Sequence, residues 1–372
     1  MRVIVIGSGI AGVPSAYQLA RRGVEVVLVD ERHPGFATAA GAGIVAPWAS
    51  RALAGAEYRL AAGAAGHYPV LVQQLAEDGV HDTSFEIVGG MVVSADEAEL
   101  AEAQQRIGAR AAEDPLAGAV RRLDPPQARE LFPPLAGNLA AVHVSGAGRV
   151  DGRRLCSALR DAARARGARL LDGHAELALD GDRVTGVRVH GERLDADAVV
   201  VAAGAWTPEL VAPLGVRLGV APQRGQLIHL GLSGQDTAGW PVVLPVSTHY
   251  MLAFPDSLVV IGATRETGSG FDHRVTAAGQ HEVLTEALRV APGLAGATVL
   301  ETRTGFRPLS DDAVPLLGPL DGYPNVLVAT GYGASGLTVG PFAGQIVAAL
   351  AVGDPPPIDL AAFRPERGAA TG

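Results

Sequence analysis

The chain has 372 residues, 48% of them hydrophobic, with a net charge of −9 and a pI near 5.6. That length suits two domains, or one large α/β domain with insertions, and the acidic balance argues against a nucleic-acid surface. All 30 basic residues are arginine, which excludes a Schiff-base lysine, a P-loop lysine and any other active-site ammonium from a side chain.

Cys156 is the single cysteine, so disulfide frameworks and cysteine zinc sites are excluded. Its neighbours read as a helix, where the thiol serves as a small buried hydrophobe. The histidines show no H-x-x-x-H pairing, and no metal site is expected. No apolar run reaches the ~20 residues of a membrane helix. These features predict a soluble protein in the reducing cytoplasm.

Residues 2–31 read as strand, glycine turn, helix, strand and acid. The apolar run 3–6 suits a parallel strand buried on both faces, and Gly7-Ser8-Gly9-Ile10-Ala11-Gly12 supplies G-x-G-x-x-G at its end. Gly7 permits a tight turn, Gly9 lets a pyrophosphate approach the backbone, and Gly12 lets the helix pack close to the strand. The helix N-terminus attracts an anion through its unpaired N–H groups and its dipole. After the second apolar run, 24–29, Asp30 is placed to accept hydrogen bonds from a ribose. The spacing predicts a dinucleotide site. A secretory signal is the alternative, but the glycines, Tyr17, Gln18, Arg21 and Arg22 interrupt its apolar region.

Residues 36–45 are small and glycine-rich, suited either to lying flat against a ring system or to forming a flexible loop. An amphipathic helix is predicted over 57–76, a hairpin over 85–94 and a polar helix over 96–112. Residues 120–134, rich in Pro and Arg, read as irregular. Asp151 is predicted to cap a helix running to about 166. Strands are expected over 168–179 and 183–189, joined by a turn at 180–182, and a buried strand over 198–203 leads to Gly204 and Trp206. Further strands are predicted at 227–230, 250–254 and 258–262, then a helix over 277–290. A short strand at 326–329 precedes a second G-x-G-x-x-G, Gly331 to Gly336, and a helix to about 351. No second strand and acid follow, so this reads as one more strand of the same sheet, with its helix aimed at the same long cofactor.

Together these segments resemble the D-amino-acid oxidase and glycine oxidase superfamily of FAD-dependent amine oxidoreductases, which includes D-amino acid dehydrogenases and sarcosine oxidases. The resemblance covers nearly the whole chain. It rests on the fingerprint, on 38–45, on Gly148-Arg149-Val150-Asp151 and on Ala202-Ala203-Gly204-Ala205-Trp206. Pro222-Gln223-Arg224-Gly225-Gln226, Gly262-Ala263-Thr264-Arg265-Glu266, Gly305-Phe306-Arg307-Pro308 with 311–318, and 329–341 extend it.

The resemblance implies an α/β fold: a Rossmann-like FAD-binding domain (1–82, 143–216 and 303–364) interleaved with a substrate domain (83–142 and 217–302) built on a mixed, largely antiparallel sheet. Residues 365–372 are expected to be a disordered tail. Arg307 matches the arginine that grips the substrate carboxylate, and Tyr250, more loosely, a tyrosine that gives the same group a hydroxyl. Core packing is the alternative role for Tyr250. Cofactor contacts are expected from Gly7, Ser8, Gly9, Ile10, Ala11, Gly12, Asp30, Glu31 and Arg32 at the ADP end. Thr38, Ala39, Ala40, Gly43, Ile44, Glu176, Ala203, Gly204 and Trp206 continue them. Gly333, Ala334, Ser335, Gly336, Leu337 and Thr338 are expected to meet the flavin pyrimidine, and Ile44 the ring.

There are departures from the family pattern. No Cys or His attachment motif is present, so FAD is expected to be noncovalent. Val260 sits near where the sarcosine oxidase branch carries a lysine, and Ala334 and Ser335 replace polar groups of glycine oxidase. Arg265 is open to selecting an acidic side chain or to being neutralised by Glu266.

The implied reaction is oxidation of an α-amino acid, a D-isomer or glycine-like compound, by hydride transfer from the α-carbon to flavin N5, giving an imine and then a 2-oxo acid and ammonia. The alternatives are oxidation of a secondary amine or cyclic imino acid, and a flavin redox module without turnover. The partners implied are a small-molecule amine and oxygen or a quinone or other electron carrier as acceptor, with a homo-oligomer left open.

Overall fold

The computed structural model describes residues 1–181 and 183–367. Its first sheet has six strands in the order Leu316–Leu320, Tyr323–Thr330, Ala198–Val201, Arg2–Ile6, Glu25–Asp30, Arg169–Asp172. All neighbours run parallel except the first pair. Side chains alternate across a strand, and here both faces are covered. Val3 and Val5 enter the core beneath the helices, whereas Ile4 and Ile6 enter the core on the opposite face. That double burial is why the strand is apolar without interruption.

Helix Gly12–Arg21 packs against Gly336–Ala351 and Gly152–Ala165 on one face. The meander Ala175–Asp180, Arg183–Val189 and Glu192–Asp195 covers part of the other. Residues 168–179 are not one strand: Gly173, at φ +149°, divides them, sending Arg169–Asp172 into the parallel sheet and Ala175–Asp180 into the meander. The expected turn at 180–182 includes Asp182, which lies outside the described residues.

The second sheet has nine strands and is largely antiparallel. Its parallel exception pairs Val242–Pro245 with Gly90–Ser94. Helix Ala277–Val290 packs on it through Val283, Ala287 and Val290. Val220–Gly231 and Thr298–Ser310 form its longest pairing, extending well beyond the expected 227–230.

Two other expectations are corrected. Residues 85–94 are no hairpin: Glu86–Ile87 pairs with Gly148–Arg149, and Gly90–Ser94 crosses into the large sheet. Val88 and Gly89 both donate to the Ala147 carbonyl between them, with Gly89 at φ +78°. Residues 120–134 contain the strand Val120–Leu123 and the helix Pro125–Leu131, whose capping box joins Asp124 and Gln127 with proline in the first turn.

Gly333–Ala351 is long and apolar enough to cross a membrane, contrary to the expectation of no such stretch, but most of it is buried among Gly12–Arg21, Gly55–Glu77 and the first sheet. A helix enclosed on all sides is apolar all round. The expected tail is ordered at its start: Arg367 Nε and Nη2 donate to Asp312 at 2.9 Å, and Glu366 accepts from Asp321 N at 2.6 Å. Residues 368–372 lie outside the described residues.

Candidate active site

The strand order reverses at Arg2–Ile6, whose neighbours are Ala198–Val201 and Glu25–Asp30. Open α/β sheets bind ligands at such a switch, beyond the carboxyl ends of the strands. An elongated cavity of about 720 Å3 lies there, running from the first glycine turn to the inner surface of the second sheet. Gly7 takes φ +100°, and a Cβ on it would strike the Ala202 carbonyl. A Cβ on Gly12 would collide with the Gly7 carbonyl oxygen, so strand and helix meet through bare backbone. At Gly9 only the Thr38 hydroxyl is near, 3.2 Å from the site of a Cβ, which leaves the approach from the cavity open. Thr38 Oγ1 accepts from Ile10 N at 3.0 Å and ties the 37–40 turn to the fingerprint.

Asp30, at the tip of its strand, accepts from the Ser8 hydroxyl and, at 3.3 Å, from Arg32 N. Glu31 is flanked by His174 Nδ1 at 2.7 Å and His33 Nε2 at 3.1 Å. The 36–45 segment is a defined turn followed by the strand Ile44–Val45, paired with Gly148–Arg149. Thr338 Oγ1 donates to the Ile44 carbonyl at 2.8 Å, locking it to the second glycine helix.

The far end of the cavity carries Tyr250, Arg265 and Arg307. Arg307 lies opposite Gln223 in the long strand pair, with Gly305 opposite Gly225. Its guanidinium crosses over Gly225, where a Cβ would come within 2.5 Å of Cζ and Nη2. Nη1 donates to the Thr264 carbonyl at 3.0 Å. Tyr250 faces Gly262 across the neighbouring strands, and a Cβ there would stand 3.0 Å from the phenol oxygen. Burial pushes the Tyr250 phenol up, and the Arg307 and Arg265 charges oppose only part of that. It is therefore a neutral donor at physiological pH. Burial also lowers Arg265, helped by repulsion from Arg307. Arg265 is an exposed residue that also lines the cavity, so its guanidinium borders open space.

The model of a family described as DAO, FAD-dependent oxidoreductase, matches residues 2–350. The chain belongs to that family. It is 43% identical to the uncharacterized oxidoreductase YurR of Bacillus subtilis strain 168, over 97% of this chain and 98% of that one. It is 32% identical to the glycine oxidase of Pseudomonas aeruginosa, over 98% of each. Among solved structures, iminodiacetate oxidase (IdaA) from Chelativorans sp. BNC1 superposes with a TM-score of 0.95 at 46% identity, covering 98% of this chain and 99% of that one.

This DAO-family chain is an oxidoreductase and its cofactor is FAD, which removes the reading as a flavin module without turnover. The cavity fits such a group. It combines a bare-backbone turn, a helix N-terminus and an acid at a strand tip with a second glycine turn, where Gly331 and Gly333 take φ +78° and +50°. Tyr332, lining the cavity at that turn, has its hydroxyl buried without a partner among the described residues. Cys156 lies on the buried face of helix Gly152–Ala165 and does not line the cavity; burial pushes its thiol up to about 12.

Most of the expected site residues line this one cavity: Gly7 to Ala11, Asp30, Glu31, Thr38, Ala40, Gly43, Ile44, Glu176, Ala203, Gly204, Trp206, Gly333, Ala334, Gly336, Leu337, Tyr250 and Arg307. Five do not. Gly12 packs on Gly7; Arg32 pairs with Asp172 at 2.8 Å; Ala39 gives its carbonyl to Arg153 Nε at 2.9 Å. Ser335 donates to the Tyr332 carbonyl at 2.8 Å, and Thr338 is spent on Ile44.

Sequence reasoning missed His33, Phe306, Tyr332 and the reason for Gly225. His33 stacks on Trp206 at 4.4 Å and both line the cavity, while Phe271 backs Trp206 at 4.6 Å. No local pattern announces a stack assembled from three separate segments. Gly225 stood inside a quoted motif, but its role depends on a guanidinium from another strand.

Proposed function

We propose that the protein oxidises the C–N bond of an amine whose α-carbon bears a carboxylate. The observation that carries this is the Arg307 guanidinium, laid over Gly225 and beside Tyr250 at the cavity end remote from the fingerprint. A planar guanidinium offers two parallel charge-assisted bonds to a carboxylate and fixes its orientation. Tyr250 adds a neutral hydroxyl. When bound, FAD would supply the two-electron acceptor for the α-carbon's C–H bond. The chain's own task is to hold that C–H bond in place and keep water out.

Its surroundings at this end include Ile44, Leu227, Ala263 and Leu337, and among the described residues no histidine or carboxylate acts on Tyr250. Tyr250 keeps its proton and is not the base, so the amine gives its proton to solvent before the C–H bond breaks and reacts neutral. The resulting imine takes up water. A primary amine then gives a 2-oxo acid and ammonia, as for a D-amino acid or glycine. A secondary amine gives a 2-oxo acid and a smaller amine. The likeness to an iminodiacetate oxidase favours the secondary amine.

Anaerobic mixing with D-amino acids, glycine, sarcosine, proline and iminodiacetate identifies the substrate by which compound bleaches the flavin. Repeating this in air with peroxide measured separates oxygen from a quinone as acceptor. Arg307→Ala is expected to raise KM for the bleaching compound while FAD stays bound. Unchanged kinetics would sink the carboxylate assignment.

A further inference from the structure

We infer that the substrate carries two carboxylates and that Arg265 receives the second. This rests on the amine-carboxylate reading above and names the substrate class of the same site. Arg265 lines the cavity with Arg307 and Tyr250, just beyond the strand Leu258–Gly262. Among the described residues it donates no hydrogen bond and pairs with no acid. The charged and titratable groups acting on it are Arg307, which repels it, and Tyr250, which stays neutral.

Glu266 follows it in sequence and would be the obvious neutralising partner, but it is committed elsewhere. Arg224 binds it through Nη2 at 2.5 Å and Nε at 3.0 Å, Gln226 Nε2 at 2.7 Å and Thr264 Oγ1 at 2.7 Å. Gln226 is itself fixed, since its Oε1 accepts from Thr276 N at 2.9 Å. The cavity's acids Asp30, Glu31, Glu176 and Glu209 belong to the fingerprint side, to the meander and to helix Thr207–Val211, which packs on the meander. Two guanidiniums therefore line one cavity, and among the described residues neither is paired with a carboxylate. Their mutual repulsion is relieved when an anion arrives. Arg307 with Tyr250 accounts for one carboxylate. Arg265, a second fork on the same cavity, accounts for another, so a secondary amine with a carboxylate on each arm satisfies both.

The test is calorimetric titration of the FAD-loaded enzyme with diglycolate, an ether dicarboxylate with no C–N bond to oxidise, and with methoxyacetate, its one-carboxylate counterpart. The wild type should bind diglycolate more tightly. Arg265→Gln should weaken diglycolate roughly 10- to 100-fold while changing methoxyacetate by less than about threefold, and Arg265→Lys should restore part of the loss. No preference in the wild type overturns the inference, with no variant needed. An equal effect on both ligands also overturns it, since both arginines would then share one carboxylate. Binding needs no turnover, so Arg265-dependent diglycolate binding without flavin bleaching by any amine would defeat the oxidation reading alone. Bleaching by iminodiacetate and sarcosine with equal efficiency, both indifferent to Arg265, would defeat this inference alone.

Discussion

Adding one methyl group at Gly225 should disable the carboxylate end of the site while leaving the protein folded. The new Cβ would lie 2.5 Å from Arg307 Cζ and Nη2, where ordinary contact begins at 3.4 Å, so the guanidinium must retreat by about 1 Å. Those atoms are the far end of a flexible side chain and the obstacle is not backbone, so the retreat costs little stability. It costs function, because a positioning error of that size can lower a rate ~100-fold, and a charge-assisted hydrogen bond is worth about 1.5–3 kcal/mol. Gly225→Ala should therefore cut kcat/KM for the bleaching amine by roughly 10- to 100-fold, mostly through KM, with Tm and bound FAD near the wild-type values. In an Arg307→Ala background the same change should add nothing, since its target is gone. Steady-state kinetics on the two single variants and the double variant, with flavin absorbance as the loading control, measures this coupling. Additive losses would refute the contact, and so would undiminished kcat/KM in Gly225→Ala.

Gly12→Ala should act at the opposite end. Its Cβ meets backbone, the Gly7 carbonyl, which cannot swing away, so the purified variant should carry little FAD or fail to fold; normal flavin content would refute the close packing. Tyr250→Phe should raise KM for the amine a few-fold and leave the pH profile of kcat unchanged, because a phenol raised by burial is not the titrating group. A lost limb of the profile would make Tyr250 a base. His67 is buried beside Phe342, and burial pushes it down to about 4. A depressed histidine is neutral in the fold while the unfolded chain takes up a proton first, so its contribution is intact above about pH 6.5 and is lost as pH falls towards 4. At pH 5 the loss is roughly 2 kcal/mol. His67→Leu should then lose less Tm between pH 7 and pH 5 than the wild type, and equal losses would contradict the assignment.

Elements announced by one continuous pattern were readable from the chain. Asp151 caps Gly152–Ala165 as its position before an apolar repeat suggested, and Ala277–Val290 occupies the predicted span. Errors arose where the partner was distant. Residues 85–94 look like a hairpin by composition, but their partners are Gly148–Arg149, Ala140–Val144 and Val242–Pro245. At Pro125–Leu131 the proline content hid a helix start, although the capping pair Asp124 and Gln127 was in plain view.

The phosphate-binding turn was legible in the sequence alone, because it is local: strand, glycines, helix and acid follow one another within one unit, although the Ala202 carbonyl that also keeps Gly7 bare comes from a distant strand end. The absence of lysine likewise limited the chemistry before any fold was known. Only the tertiary structure decided the substrate end. Arg307 comes from the strand Thr298–Ser310 and Arg265 from the segment between the strands Leu258–Gly262 and Glu266–Thr267, Gly225 is bare because a guanidinium crosses it, and Glu266 neutralises Arg224 in place of its own neighbour Arg265. Charge balance depends on which side chains meet in space, and adjacent residues on an extended chain point to opposite sides.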